Sequence, residues 1–252
     1  MSAPPPRVLV IAGSDSSGGA GIQADIKTVT MLGGYAMTAI TAVTAQNTTG
    51  VTGVEVLSPS FVAAQMDACI GDIGVDAVKI GMLGNADIAE VVADRLEDLP
   101  CPFVFDPVMI ATSGAVLADD STVSVFEWLM ELATLTTPNV PELLALGGHE
   151  AMAARGVAYF AKGGDADGPI LEDRLVRPGH DDLVWNEARI VTRHTHGTGC
   201  TLASAIATFL GRGLALEEAV SRARRFVRQA ILEAPGFGSG SGPLGHQAVR
   251  TD

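Results

Sequence analysis

The chain is poor in cysteine, in basic residues and in long apolar runs. Its three cysteines, Cys69, Cys101 and Cys200, stand far apart in 252 residues. They are too few and too scattered for a disulfide framework or a Cys-x-x-Cys metal site, which points to a reducing compartment. Lys and Arg number 16 against 29 Asp and Glu, a net charge of −13. Polyanions need basic surface, so nucleic acid is not an expected partner. A phosphate bound by so acidic a chain must be held by local dipoles and a few placed cations. No apolar run reaches the roughly 20 residues that span a bilayer. The best stretch, 36–45, is short and carries threonines. The start, Met-Ser-Ala-Pro-Pro-Pro-Arg, lacks the apolar core of a signal peptide. These absences predict a cytoplasmic protein without a membrane partner. The Walker pattern G-x-x-x-x-G-K-[ST] is also missing, so any phosphate chemistry must use another loop.

What is present is a folded α/β pattern. With 47% apolar and 18% charged residues the chain can bury a substantial core. Arg7-Val-Leu-Val-Ile-Ala12 reads as a buried strand ended by Gly13. Helical spacing follows over 22–32, and strand patterns over 35–45 and 51–57. Further helices are expected at 61–70, 87–96, 121–132, 140–146, 200–210 and 216–233, and strands at 76–80, 103–105, 134–137 and 157–161. A hairpin or edge pair is expected over 171–176 and 182–191. The alternation calls for a mostly parallel central sheet with helices on both faces. No linker divides the chain, so residues 1–252 are expected to form one domain, with 1–6 and 236–252 as irregular tails. In such sheets ligands sit outside the carboxyl ends of the strands. Polar and glycine clusters fall at those ends: 13–21, 46–47, 81–84, 106–109, 137–142 and 162–165.

Two glycine-rich loops carry the chemistry. His194-Thr-His-Gly-Thr-Gly-Cys-Thr201 turns sharply and feeds a helix. Unpaired N–H groups at such a helix start, with the positive end of its dipole behind them, form an anion nest. Cys200 stands at its mouth, where a thiol pKa is expected to fall. The second loop, Gly13 to Asp25, contains G-x-G-x-x-A at Gly19, Gly21 and Ala24. A dinucleotide site fits poorly, since no acid lies about 20 residues on to hold a ribose. Asp25 is either a solvated helix charge or a carboxylate that accepts a hydrogen bond from a small polar substrate. Gln46-Asn47 is either a turn or the source of an amide that pairs with a heteroaromatic ring. Asp106 and Asn139-x-x-Glu142 could hold Mg²⁺ beside phosphates, and Lys162 could sit on a phosphate as a point charge. Taken alone, each acid reads more readily as a cap or turn residue, and Lys162 as a solvated lysine. His194 and His196 lack metal-ligand partners and are expected to hold the nest in shape.

The stretches 11–28, Thr41-Ala-Val-Thr-Ala-Gln-Asn-Thr48, Lys79-Ile-Gly-Met-Leu83, Asp106-Pro-Val-Met109, Thr137-Pro-Asn-Val-Pro-Glu142, Lys162-Gly-Gly164 and 195–201 run in one order along the chain. Together they resemble the hydroxymethylpyrimidine/phosphomethylpyrimidine kinases of thiamine biosynthesis, within the ribokinase-like superfamily. The resemblance implies a three-layer ribokinase-like fold and ATP-dependent phosphorylation of a pyrimidine alcohol and then of its monophosphate. It implies ATP and Mg²⁺ as cofactors and a homodimer. It places Gly13, Asp25, Gln46, Met82 and Val108 around the pyrimidine. Asn139, Glu142, Lys162 and Thr195 fall near the nucleotide, and Asp106 and Glu142 near the metal. Gly197, Thr198 and Gly199 correspond to the anion hole and Cys200 to the base that takes the alcohol proton. Pyridoxal kinases share the architecture and much of the motif set. Two departures stand out. Asp165 follows Lys-Gly-Gly where the family usually has His, and 146–157 looks short of most of a helix. They keep a non-catalytic pyrimidine-binding regulator as a second class of function.

Overall fold

The computed structural model describes residues 4–109 and 120–250. One nine-stranded sheet organises them. It contains β1 (Arg7–Asp15), β2 (Tyr35–Asn47), β3 (Gly50–Val56), β4 (Ala77–Ile80), β5 (Phe103–Phe105), β6 (Leu135–Thr136), β7 (Tyr159–Ala161), β8 (Ile170–Val176) and β9 (Leu183–Ala188). Their order is β3-β2-β1-β4-β5-β6-β7-β8-β9. The six strands from β2 to β7 pair in parallel, and antiparallel strands close both edges.

β1 shows why the centre is apolar on both sides. Successive strand side chains point to opposite faces. Val8, Val10 and Ala12 join one core with α1 (Gly21–Met31), α7 (Thr198–Gly211) and α8 (Leu216–Leu232). Leu9 and Ile11 join a second core with α2 (Pro59–Ala68), α3 (Ala86–Leu96) and α4 (Asp120–Leu132). The chain leaves β1 toward β2 on one side, while β4 pairs on the other. That split opens a crevice at the carboxyl ends of the central strands.

Several sequence expectations need correction. The helix expected at 140–146 is present as α5 (Val140–Ala145), and the stretch thought to lack a helix, 146–157, holds one: α6 (Gly148–Arg155). Gly147 and Gly148 adopt positive φ between them, and Met152 plugs α6 into the core. β2 runs on through Asn47, so Gln46-Asn47 is strand and not turn. The expected tails are only partly free. Pro6 is buried, and its carbonyl accepts from the Tyr35 N–H. Leu244, His246 and Val249 are buried, with a short 3₁₀ turn at His246–Ala248. Residues 1–3 and 251–252 lie outside the described residues. Among the described residues no helix is long and apolar enough to cross a membrane.

Candidate active site

A cavity of about 650 Å³ opens over the carboxyl ends of the strands and the start of α7. The two glycine loops form its centre, packed back to back. Gly197 caps α7 at φ 88°, a left-handed conformation that suits glycine. A Cβ there would run into the Gly19 carbonyl. Gly21 and Cys200, 179 residues apart in the chain, line the same pocket. On the far wall a Cβ on Gly13 would strike the Met82 side chain.

Most of the sequence-derived candidates line this one cavity: Gly13, Gln46, Met82, Asp106, Val108, Asn139, Glu142, Lys162, Thr195, Gly197, Thr198, Gly199 and Cys200. Asp25 does not. Its carboxylate is wholly buried beneath the loops, 2.9 Å from the Lys79 ammonium, and it accepts from Ser204 Oγ at 2.7 Å. Both carboxylate oxygens are thus committed inside the protein, which corrects the expectation of a substrate contact. Asp25 is not a solvated helix charge either. Burial opposes the charge on Lys79, but Asp25 and Asp106 outweigh it and hold the ammonium protonated.

A second charged group stands at the ends of β5 to β7. Lys162 Nζ lies 2.8 Å from Asp106 Oδ1 and 3.8 Å from Glu142 Oε2. Thr137 Oγ1 donates to the same Asp106 oxygen at 3.0 Å. Asn139 and Glu142 form a reciprocal capping box on α5, at 2.8 Å in each direction. Burial pushes the Glu142 carboxyl up to about 7; Lys162 lowers it, while Asp106 and Asp165 add to the rise. A Cβ on Gly199 would lie 3.3 Å from Asp106 Oδ2 and 3.4 Å from Lys162 Nζ. The first turn of α7 therefore lies close against this cluster. The donors are oxygens on two carboxylates, hard ligands that suit a mostly hydrated Mg²⁺.

Cys200 departs from expectation. Burial raises its thiol to about 11, with Asp25 and Asp106 adding to the rise; Lys79 and the Gly21 N–H only partly oppose it. In the free protein at neutral pH the sulfur carries its proton.

Three participants went unread in the sequence. Lys79 is a lone cation in the apolar run Ala-Val-Lys-Ile, and a charge in a strand buried on both faces demands a partner. Ser204 lies one turn beyond Cys200, on the helix face that Asp25 meets. Asp15 ends β1 and reaches His196, a contact that no local spacing announces.

The profile of the phosphomethylpyrimidine kinase family matches residues 15–245. The chain is 43% identical to the hydroxymethylpyrimidine/phosphomethylpyrimidine kinase of Synechococcus elongatus, covering 96% of this chain and 97% of that one. It is 45% identical to the thiamine biosynthesis bifunctional protein ThiED of Geobacter sulfurreducens, covering 99% of this chain but only 54% of that protein. Against such fused relatives the chain spans about half the length. Among solved structures, the ADP complex of Bacillus subtilis pyridoxal kinase superposes with a TM-score of 0.87 at 32% identity, over 96% of this chain and 98% of that one.

Proposed function

Because the chain belongs to the phosphomethylpyrimidine kinase family, we propose that it transfers the γ-phosphoryl of ATP to 4-amino-5-hydroxymethyl-2-methylpyrimidine and then to the resulting monophosphate. The observation that carries this reading is the meeting of the two glycine loops over one cavity, with Cys200 and the start of α7 facing Lys162 and Asp106. Phosphoryl transfer asks the protein mainly to position the reactants and to neutralise charge on the moving group. The N–H groups of the first turn of α7 supply aligned donors, and Lys162, held beside Asp106, supplies a cation close to them. Gly13, Met82, Val108 and Gln46 shape the end of the cavity that takes the ring. Asn139, Glu142, Lys162 and Thr195 serve the nucleotide end. The B. subtilis relative binds ADP, which agrees with ATP as the donor here. A bound Mg²⁺ would neutralise phosphate charge, and Asp106 and Glu142 are the residues that would hold it through water. We further take residues 1–252 as a single kinase domain that acts in the cytoplasm as a homodimer. Val54 and Val56 on edge strand β3, and Phe61 at the start of α2, leave exposed apolar surface for a second copy.

The direct test is to incubate purified protein with Mg-ATP and the hydroxymethylpyrimidine and follow products by mass. Mono- and diphosphate are expected in turn. Their absence, with pyridoxal phosphorylated instead, would overturn the substrate assignment. That second reading has one observation in its favour, the closeness of the fold to a pyridoxal kinase. The non-catalytic reading is weaker than the sequence suggested, since α6 occupies the stretch thought missing.

Cys200 supports a pH prediction. A base whose conjugate acid titrates at about 11 is active only in its deprotonated fraction, which grows tenfold per pH unit below that value. The alcohol phosphorylation should therefore accelerate between pH 7 and 9. The second transfer, to an acceptor already ionised, should stay nearly flat. Cys200→Ala should slow the first reaction and erase its pH slope, while sparing the second. Equal kcat losses on both substrates would remove the base role.

A further inference from the structure

The buried carboxylate of Asp15 closes the first glycine loop on itself. It accepts from the N–H groups of Ser17 (2.8 Å), Gly19 (3.1 Å) and Ala20 (2.8 Å) and from the Ser17 hydroxyl. Its Oδ2 also lies 2.8 Å from His196 Nε2, in the loop that precedes the anion nest. Burial alone would raise this carboxyl, but the bonds from His196, Ser17 and Ala20 win and hold it at about 2. An ionised carboxylate is only an acceptor, so the proton of the Asp15–His196 bond sits on Nε2. The ring lies directly against Gly19, where a Cβ would collide with it.

That proton has a consequence for Gln46, whose amide reaches the cavity. As placed, the amide Nε2 lies 3.4 Å from the same His196 Nε2 and the amide Oε1 3.0 Å from Thr44 Oγ1, the orientation opposite to the one that pairs every donor with an acceptor. Thr44 Oγ1 is also 3.1 Å from the Ser14 carbonyl. Thr44 has one proton to give, and the two ends of a carboxamide exchange by a half-turn of nearly equal shape. If Thr44 donates to Gln46, the amide NH₂ faces the His196 N–H, donor against donor. If Thr44 donates to Ser14, the amide NH₂ donates to Thr44, and its oxygen meets the His196 N–H as the weaker branch of a shared bond. Only the second arrangement sets every donor against an acceptor.

We propose that Asp15, acting through His196, is a positioning residue for substrate specificity: it fixes the Gln46 carboxamide with oxygen toward His196 and nitrogen toward Thr44. The edge left for the cavity then carries one carbonyl lone pair and one N–H in a set order. That order suits a ring edge with an amino group beside a ring nitrogen, and a flipped amide would mispair both atoms at once. Only the identity of the ligand rests on the pyrimidine kinase reading; the amide orientation does not.

Two measurements decide it. ¹⁵N-histidine NMR of the substrate-free protein, with the His196 signals assigned by their loss in His196→Gln, should show a protonated Nε2. An unprotonated Nε2 overturns the proposal. His196→Phe removes the N–H while keeping a flat ring, and should raise KM for the aminopyrimidine tenfold or more with KM for ATP within twofold of the parent. His196→Gln restores a donor to Asp15 and should recover part of that loss. A His196→Phe protein that keeps the parental melting temperature and an unchanged pyrimidine KM overturns the proposal. If the parent protein phosphorylates no aminopyrimidine, the substrate reading fails, and the Nε2 protonation state still decides the amide orientation.

Discussion

Lys79→Met is expected to destabilise the protein by about 3–5 kcal/mol, the usual cost of removing one partner from a buried ion pair. Lys79 and Asp25 are both fully buried and lie 2.9 Å apart. Methionine would fill most of the lysine's volume, so the loss would come from charge and not from a cavity. Asp25 would keep the Ser204 hydroxyl as its one remaining partner and would take up a proton to avoid a bare buried charge. Thermal unfolding should reveal the change as a fall in melting temperature of roughly 10 °C for a chain of this size. The double variant Lys79→Met with Asp25→Leu should recover most of the loss, because an apolar pair of similar volume replaces a buried ion pair at little cost. A single variant within about 1 kcal/mol of the parent in urea unfolding would show that the pair is dispensable. The location makes the result matter for activity. The pair and Ser204 tie the central strand β4 to α1 and α7, the two helices that follow the glycine loops.

The sequence announced some of this architecture and hid the rest for identifiable reasons. β1 was readable because both of its faces are apolar and a glycine ends it. The nest was readable because Gly197 and Gly199 precede a run of good helix formers. The helix over 148–155 escaped notice because it buries only Met152 and so leaves no apolar stripe. The Cys200 thiol went wrong in sign, and magnitudes explain why. A helix terminus contributes about 0.3–1 kcal/mol, and up to ~2 in favourable geometry. The thiol rises from 9.0 to about 11, which corresponds to nearly 3 kcal/mol net at about 1.4 kcal/mol per pH unit. Spacing reveals the dipole, whereas burial depends on what the rest of the chain packs on top. The same limit hid the fate of Asp25 and the contact between Asp15 and His196. Partners 54, 179 and 181 residues apart leave no local pattern.

Gly199→Ala separates catalysis from folding. Gly199 lies in the first turn of α7 and lacks the positive φ that marks Gly197, so alanine meets no backbone strain there. Alanine is the better helix former by up to about 1 kcal/mol, so the melting temperature should hold or rise slightly. The new methyl, however, would sit 3.3 Å from Asp106 Oδ2 and 3.4 Å from Lys162 Nζ. In the proposed mechanism the helix N–H groups and the lysine both reach a transferring phosphoryl group at this point. The N–H groups remain, but a methyl that holds the phosphoryl group away from them should cost as much as removing one such donor, about 10²- to 10³-fold in kcat. We therefore expect kcat to fall by that factor on both acceptors, with KM for the pyrimidine little changed, since the proposed place for the ring is the Gly13–Gln46 end. Gly197→Ala should behave differently. Its φ of 88° and the facing Gly19 carbonyl leave no place for a Cβ, so that variant should lose stability as well as activity. Steady-state kinetics on each acceptor, paired with melting curves, read both outcomes. A Gly199→Ala enzyme with parental kcat would move the transfer step away from the start of α7.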